Sequence, residues 1–149
     1  MYAPHVVTVY NVSENPDTLE VERNITVLHG VFLDISKADN VQKSGLENAN
    51  AATLYIPFDV KAYDPRTNKA KAYVLPRQYS LLADKSNCWT LQTGGDASAA
   101  PCFFVKGIVA EELGLGALRN QYDFVYDVTS VNTHDFGSAA MQHWQVGGR

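Results

Sequence analysis

The stretch Ala52-Thr53-Leu54-Tyr55-Ile56-Pro57-Phe58-Asp59-Val60 decides the fold class. Ala52, Leu54, Ile56, Phe58 and Val60 take every second position, and Thr53, Tyr55, Pro57 and Asp59 fall between them. A side-chain period of two belongs to a strand with one buried face. Leu54, Ile56 and Phe58 are therefore expected to point inward together. Pro57 has no N–H for a sheet ladder, which places it at an edge, a bulge or a strand end.

Working outward, the same density of β-branched and aromatic residues recurs at 6–10, 25–33, 72–75, 88–91, 102–109 and 124–131, each run bounded by Gly, Pro, Asn or Asp. Seven short strands predict an all-β fold, a small β-barrel or sandwich, as a single domain over residues 1–149. Helical signal is thinner. Leu115, Leu118 and Tyr122 stand at i, i+3 and i+7 within 111–122, a short helix expected to cap one open end of a barrel. Pro76 suits the first position of another short helix over 76–83.

Two segments have no such period. Residues 36–50 form a polar stretch longer than most connections in compact domains, which are commonly functional when that long. Residues 136–149 mix Phe136, Met141, His143 and Trp144 with glycines. They are expected to form a C-terminal arm that docks on a neighbouring subunit, the alternative being that the arm folds back on its own body.

Composition narrows the function classes. The 149 residues carry 12 basic and 16 acidic side chains, a net charge of −4. Gripping DNA by its phosphates needs a basic face, and the one local cluster, Arg66, Lys69 and Lys71, reads as a solvated turn. The opening Met1-Tyr2-Ala3-Pro4-His5 has neither the basic start nor the apolar run of a signal peptide, and no membrane association is expected. Cys88 and Cys102 fit no CxxC pair and read as thiols of a reducing compartment.

Catalytic patterns are weak. Gly114-Leu115-Gly116 begins like a dinucleotide fingerprint, but Arg119 stands where the third glycine belongs. His134-Asp135 and His143-Trp144 could in principle pair an imidazole with a carboxylate or with one of the cysteines. The histidines lie nine residues apart, which is no compact zinc spacing. The expectation is a protein that is not an enzyme and holds no cofactor or metal. Eight Tyr, six Phe and two Trp favour assembly through contact surfaces instead.

Val7-Thr8-Val9-Tyr10-Asn11, Val27-Leu28-His29-Gly30-Val31, Ser44-Gly45-Leu46, Tyr55-Ile56-Pro57-Phe58, Ala83-Asp84-Lys85-Ser86, Trp89-Thr90-Leu91, Val105-Lys106-Gly107, Asp135-Phe136-Gly137-Ser138, His143-Trp144 and Gly147-Gly148 together resemble a family of small prophage structural proteins of Gram-positive bacteria. The order of parts is also similar to that of phage head-tail joining proteins, including stoppers. This resemblance implies a virion neck protein: a homo-oligomeric ring, a hexamer, between the portal–adaptor complex and the tail proteins, assembled in the bacterial host cytoplasm. Packaged DNA would pass through without sequence-specific binding. The long loop, with Ser36, Lys37, Asp39, Gln42, Lys43, Ser44 and Gly45, would then face the lumen, and Phe136, Met141, His143 and Trp144 would anchor the interface. A tail terminator or minor capsid protein fits the same composition. A β-sandwich module for glycans or peptides and a small Cys/His enzyme are the readings from other classes.

Overall fold

The computed structural model describes residues 3–14, 17–35, 52–93 and 102–149. The lumen-loop residues Ser36, Lys37, Asp39, Gln42, Lys43, Ser44 and Gly45 lie outside the described residues. In chain order the elements are β1 (His5–Glu14), β2 (Val21–Asp34), β3 (Ala52–Pro57), β4 (Lys61–Tyr63), β5 (Ala72–Tyr73), α1 (Pro76–Ser80), β6 (Cys88–Trp89), β7 (Cys102–Lys106), α2 (Leu115–Gln121), β8 (Val125–His134) and β9 (His143–Gly148). A single turn of 3-10 helix, Ala139–Met141, precedes β9.

The fold is all-β. Antiparallel pairings run β1–β7–β8–β9–β3–β2, β1 also pairs with β2, and β4 adds to β2. The result is sandwich-like, because β2 and β8 each divide their length between two sheets. In β2, residues 21–31 pair with β1, and Phe32, Leu33 and Asp34 pair with β3. In β8, Val125, Tyr126 and Asp127 face β7, whereas the later residues face β9 across a register shift at Val128/Ser130. Strands that bend in this way turn the corner from one sheet to the next. Gly30 makes the corner of β2: it is the extra residue between the pairs Val6–His29 and His5–Val31, and its φ of 87° is one that a side chain would strain.

The alternation at 52–60 places its side chains as expected. Leu54 and Ile56 are fully buried, Phe58 packs against the same core, and Pro57 is the last residue of β3. Between the two sheets they meet Val7, Val9, Leu28, Phe104, Val128 and Val146, while β5 and β6 add Tyr73 and Trp89.

The C-terminal segment corrects the sequence reading. Residues 143–148 are no arm but β9, hydrogen-bonded between β3 and β8. Trp144 and Val146 point into the core and His143 and Gln145 point outward, a strand alternation cut short by two glycines. The second of them serves packing. A Cβ on Gly148 would lie 2.8 Å from Tyr126 Cβ and 3.0 Å from Phe104 Cζ. Gly148→Ala is accordingly expected to lose about 1–3 kcal/mol by overpacking, measured as a lower urea midpoint at unchanged m-value.

Helix α2 departs from expectation as well. It closes no barrel end. Leu118, with Leu113, Leu115 and Tyr122 beside it, covers the outer face of the first sheet over Tyr10, Ile25, Phe103, Val105 and Val125. Tyr10 and Phe103 stack there with centroids 5.0 Å apart, and the Tyr10 hydroxyl donates to the Glu111 carbonyl at 2.7 Å. The first sheet is thus covered on both faces, which is why residues 7–11 of β1, Thr8 and Asn11 included, are all buried.

Candidate functional site

The outer face of the second sheet is built differently. Its outward positions on β3, β9 and β8 include Tyr55, His143, Gln145, Asn132 and His134, in registered pairs Tyr55–Gln145, Asn132–Gln145 and His134–His143, with Thr53 and Ser130 further along, both opposite Gly147. Aromatic and imidazole rings run across the strands: Phe32 to Tyr55 at 5.9 Å, Tyr55 to His143 at 5.9 Å, His143 to His134 at 4.8 Å and His134 to Phe136 at 5.6 Å. Such cross-strand neighbours support one another at strand spacing. Tyr55, His134, His143 and Gln145 are half-buried, Asn132 is exposed, and none of these carries a carboxylate.

The row ends at the β8–β9 turn. Two of its side chains stand well out, Phe136 at 70% and Met141 at 60% exposure. The turn itself is pinned: the Met141 N–H donates to the Ser138 carbonyl at 2.9 Å, Gln142 Nε2 donates to the Gly137 carbonyl at 3.4 Å, and the Phe58 N–H donates to the Gln142 carbonyl at 3.2 Å. His143 Nδ1 lies 2.8 Å from the Met141 carbonyl, so that nitrogen carries the proton and donates. Of the four expected interface residues, Phe136 and Met141 stand at the surface and His143 lies half-buried in the row. Trp144 is the correction, a core residue at 7% exposure.

The Cys/His pairing weighed as the enzyme alternative is not formed by Cys102. Cys102 is buried beside Asn11 and Thr90 in the interior, and burial pushes its thiol up to about 12. The imidazoles of His134 and His143 lie on the outer face. His134-Asp135 leads into the turn.

A second polar cluster went unforeseen. Lys71, read from sequence as part of a solvated turn, is 7% exposed. Its ammonium donates to Asn24 Oδ1 at 2.5 Å, the Ile25 carbonyl at 2.7 Å and Thr26 Oγ1 at 3.1 Å. The Asn24 amide in turn donates to Tyr79 Oη at 3.0 Å and to the carbonyls of Lys85 at 2.7 Å and Cys88 at 2.8 Å. Asp64, 7% exposed, accepts from the Arg66 N–H at 2.8 Å, and this bond with the Arg66 charge holds its carboxyl below the usual range against the opposing effect of burial. Arg66 reaches on to Glu112 at 2.6 Å. The cluster ties α1 and the turn after it to β2. All three donor positions of the ammonium are taken, so it is structural.

Burial also governs the alkaline limb. It raises Tyr10, moves Tyr79 up to about 12 from 10.0, and moves Cys102 up to about 12 from 9.0. Folded values above unfolded ones mean that this stability is whole below about pH 9 and is lost as pH rises toward 12. Phenolate absorbance from Tyr10 and Tyr79 is expected to appear in step with loss of the near-UV circular dichroism. A smooth titration with the tertiary signal intact would contradict their burial.

Among the described residues no helix is long and apolar enough to cross a membrane. Searches among curated proteins and among solved structures return no match. Residues 3–149 match a family of unknown function, DUF6751. With all but the first two residues inside the match, the chain belongs to the DUF6751 family.

Proposed function

We propose that the protein is a virion structural subunit of a tailed phage or prophage, a head-tail connector or stopper that acts as a homo-oligomeric ring between the portal–adaptor complex and the tail. The observation that carries this reading is the asymmetry of the two sheets. One outer face is sealed by the chain's own α2, whereas the other presents rings and amides that end at exposed Phe136 and Met141. Aromatic residues and Met are enriched at subunit contacts, and charges are depleted there. A net charge of −4 per subunit suits a ring through which DNA slides without being held.

The test is genetic and structural. The gene is deleted from an inducible prophage, and the particles are imaged and analysed by mass spectrometry. The connector reading expects filled or leaking heads without tails, with the wild-type subunit located at the neck. A subunit found at the tail tip or in the shell would make it another virion component, such as a tail terminator or minor capsid protein. Its absence from particles would remove the virion reading. Tyr55, Gln145 and Asn132 together also suit a sugar or peptide, so a binding module is the second reading; a monomer that binds a glycan array would favour it.

A further inference from the structure

The two imidazoles at the end of the outer row are far apart in sequence and brought together by the strands. His134 and His143 are the last registered pair of β8 and β9 before the turn, and their rings lie 4.8 Å apart and within 14° of parallel. His143 is also fixed in its tautomer. Its Nδ1 proton goes to the Met141 carbonyl at 2.8 Å, so Nε2 carries a lone pair. Metal-binding imidazoles are held in this way, one ring nitrogen donating to a carbonyl and the other left to coordinate. Among the described residues nothing hydrogen-bonds to that Nε2, and His134 makes ring contacts but no hydrogen bond. The other two histidines are engaged singly: His5 Nδ1 accepts from the Leu33 N–H at 3.0 Å, and His29 Nε2 lies 2.8 Å from Tyr63 Oη.

We propose that His134 and His143 form a two-imidazole site for a divalent transition-metal ion, with water in the remaining positions. Imidazole ligands suit Zn²⁺, Ni²⁺ and Cu²⁺, and the order of affinities puts Cu²⁺ first. Asp135 adds an exposed carboxylate next to His134, and the outer row holds no Lys or Arg to repel a cation. Among the described residues no third His, Cys, Asp or Glu joins the pair, so the ion keeps open positions rather than a closed structural shell. Two nitrogens bound to one ion at about 2.0–2.1 Å stand roughly 3 Å apart. The pair reaches that spacing by a tilt of the His134 ring, which no hydrogen bond among the described residues restrains. The ion would tie β8 to β9 at the base of the turn that presents Phe136 and Met141. The site needs one chain only and does not depend on the ring reading above.

The test titrates Cu²⁺, Ni²⁺ and Zn²⁺ into the untagged chain up to about 0.1 mM, at about pH 7.5 because a ligating imidazole must be neutral. Calorimetry reads affinity and stoichiometry, and melting midpoints are taken with and without metal. Wild type is expected to bind one ion per chain, Cu²⁺ most tightly, and to melt higher in its presence, since an ion that binds the folded pair stabilises it by mass action. The electron paramagnetic resonance spectrum of the Cu²⁺ form should show two imidazole nitrogens. His134→Gln and His143→Gln are each expected to weaken binding at least about tenfold, no less than the loss of a mere supporting partner would. His29→Gln should bind like wild type. Metal-free melting midpoints check folding; should His143→Gln, which alters the bond to Met141, fail to fold, His134→Gln decides alone. Absence of saturable binding by wild type overturns the site, as does binding by His134→Gln equal to that of wild type, or a Cu²⁺ spectrum with a single imidazole nitrogen. Each of these results leaves the ring reading untouched.

Discussion

Trp144→Ala is expected to lower the stability of the isolated subunit by about 3–5 kcal/mol, a large-to-small change in a close-packed core. Its indole lies 4.3 Å from the Tyr73 ring, 4.5 Å from Phe58 and 5.8 Å from Trp89, centroid to centroid. Trp144 also pairs with Ile56 in the middle of the second sheet. Phe58 just after β3, Tyr73 of β5 and Trp89 of β6 would line the cavity left behind. In a chain of this size the loss corresponds to a fall in melting midpoint of roughly 6–20 °C. Phe136→Ala and Met141→Ala, on the exposed turn, should stay within about 0.5 kcal/mol. Equal stability of Trp144→Ala and wild type in urea would return Trp144 to the surface and the segment 136–149 to an interface arm.

The difference between those positions shows what was legible. Alternation over 52–60 identified β3 and its inward face, because each residue type there agrees with its place on the strand. The same signal was present in His143-Trp144-Gln145-Val146, out and in by turns. Gly147 and Gly148 masked it, since glycine pairs usually mark turns; here Gly148 lets β9 approach Tyr126 and Phe104. The strand extent of 72–75 and 88–91 was overestimated. They shrink to a parallel pair of two residues each, Ala72–Cys88 and Tyr73–Trp89, with the Tyr73 and Trp89 side chains packed on the core. Helix α2 was legible from Leu115, Leu118 and Tyr122, but not its place, because periodicity names a buried face without naming what buries it. The outer row has a readable element, since Tyr55 occupies an outward position in the clearest strand. Its meeting with His143 depends on β9 pairing with β3, which no local pattern specifies.

Lys71 is the position where sequence reasoning and structure differ most, and its replacement should show it. Lys71→Met keeps much of the aliphatic stem and removes the ammonium. Asn24 Oδ1, the Ile25 carbonyl and Thr26 Oγ1 would then lose their donor, and buried Asp64 would keep Arg66 but lose the second of its two positive neighbours. Removing one side of a buried charged network is expected to destabilise by about 3–5 kcal/mol. The effect should be local first: Asn24 would lose the contact that orients its amide toward Tyr79, Lys85 and Cys88, so hydrogen exchange should quicken over 79–88 before the sheets open. The pH dependence has a definite sign. Burial outweighs the attraction of Asp64 and lowers the Lys71 ammonium to about 8 from 10.5. Between those values the unfolded chain binds more protons than the folded one, so the contribution of Lys71 rises with pH across that window. The deficit of Lys71→Met relative to wild type should therefore widen as pH goes from about 8 to about 10.5, as read from paired urea titrations. Comparison with wild type at each pH separates this from the loss caused by Tyr10, Tyr79 and Cys102, which both proteins share. A deficit that is constant or shrinks over that range would mean that Lys71 stays protonated in the fold and that its three acceptors, not burial, set its charge.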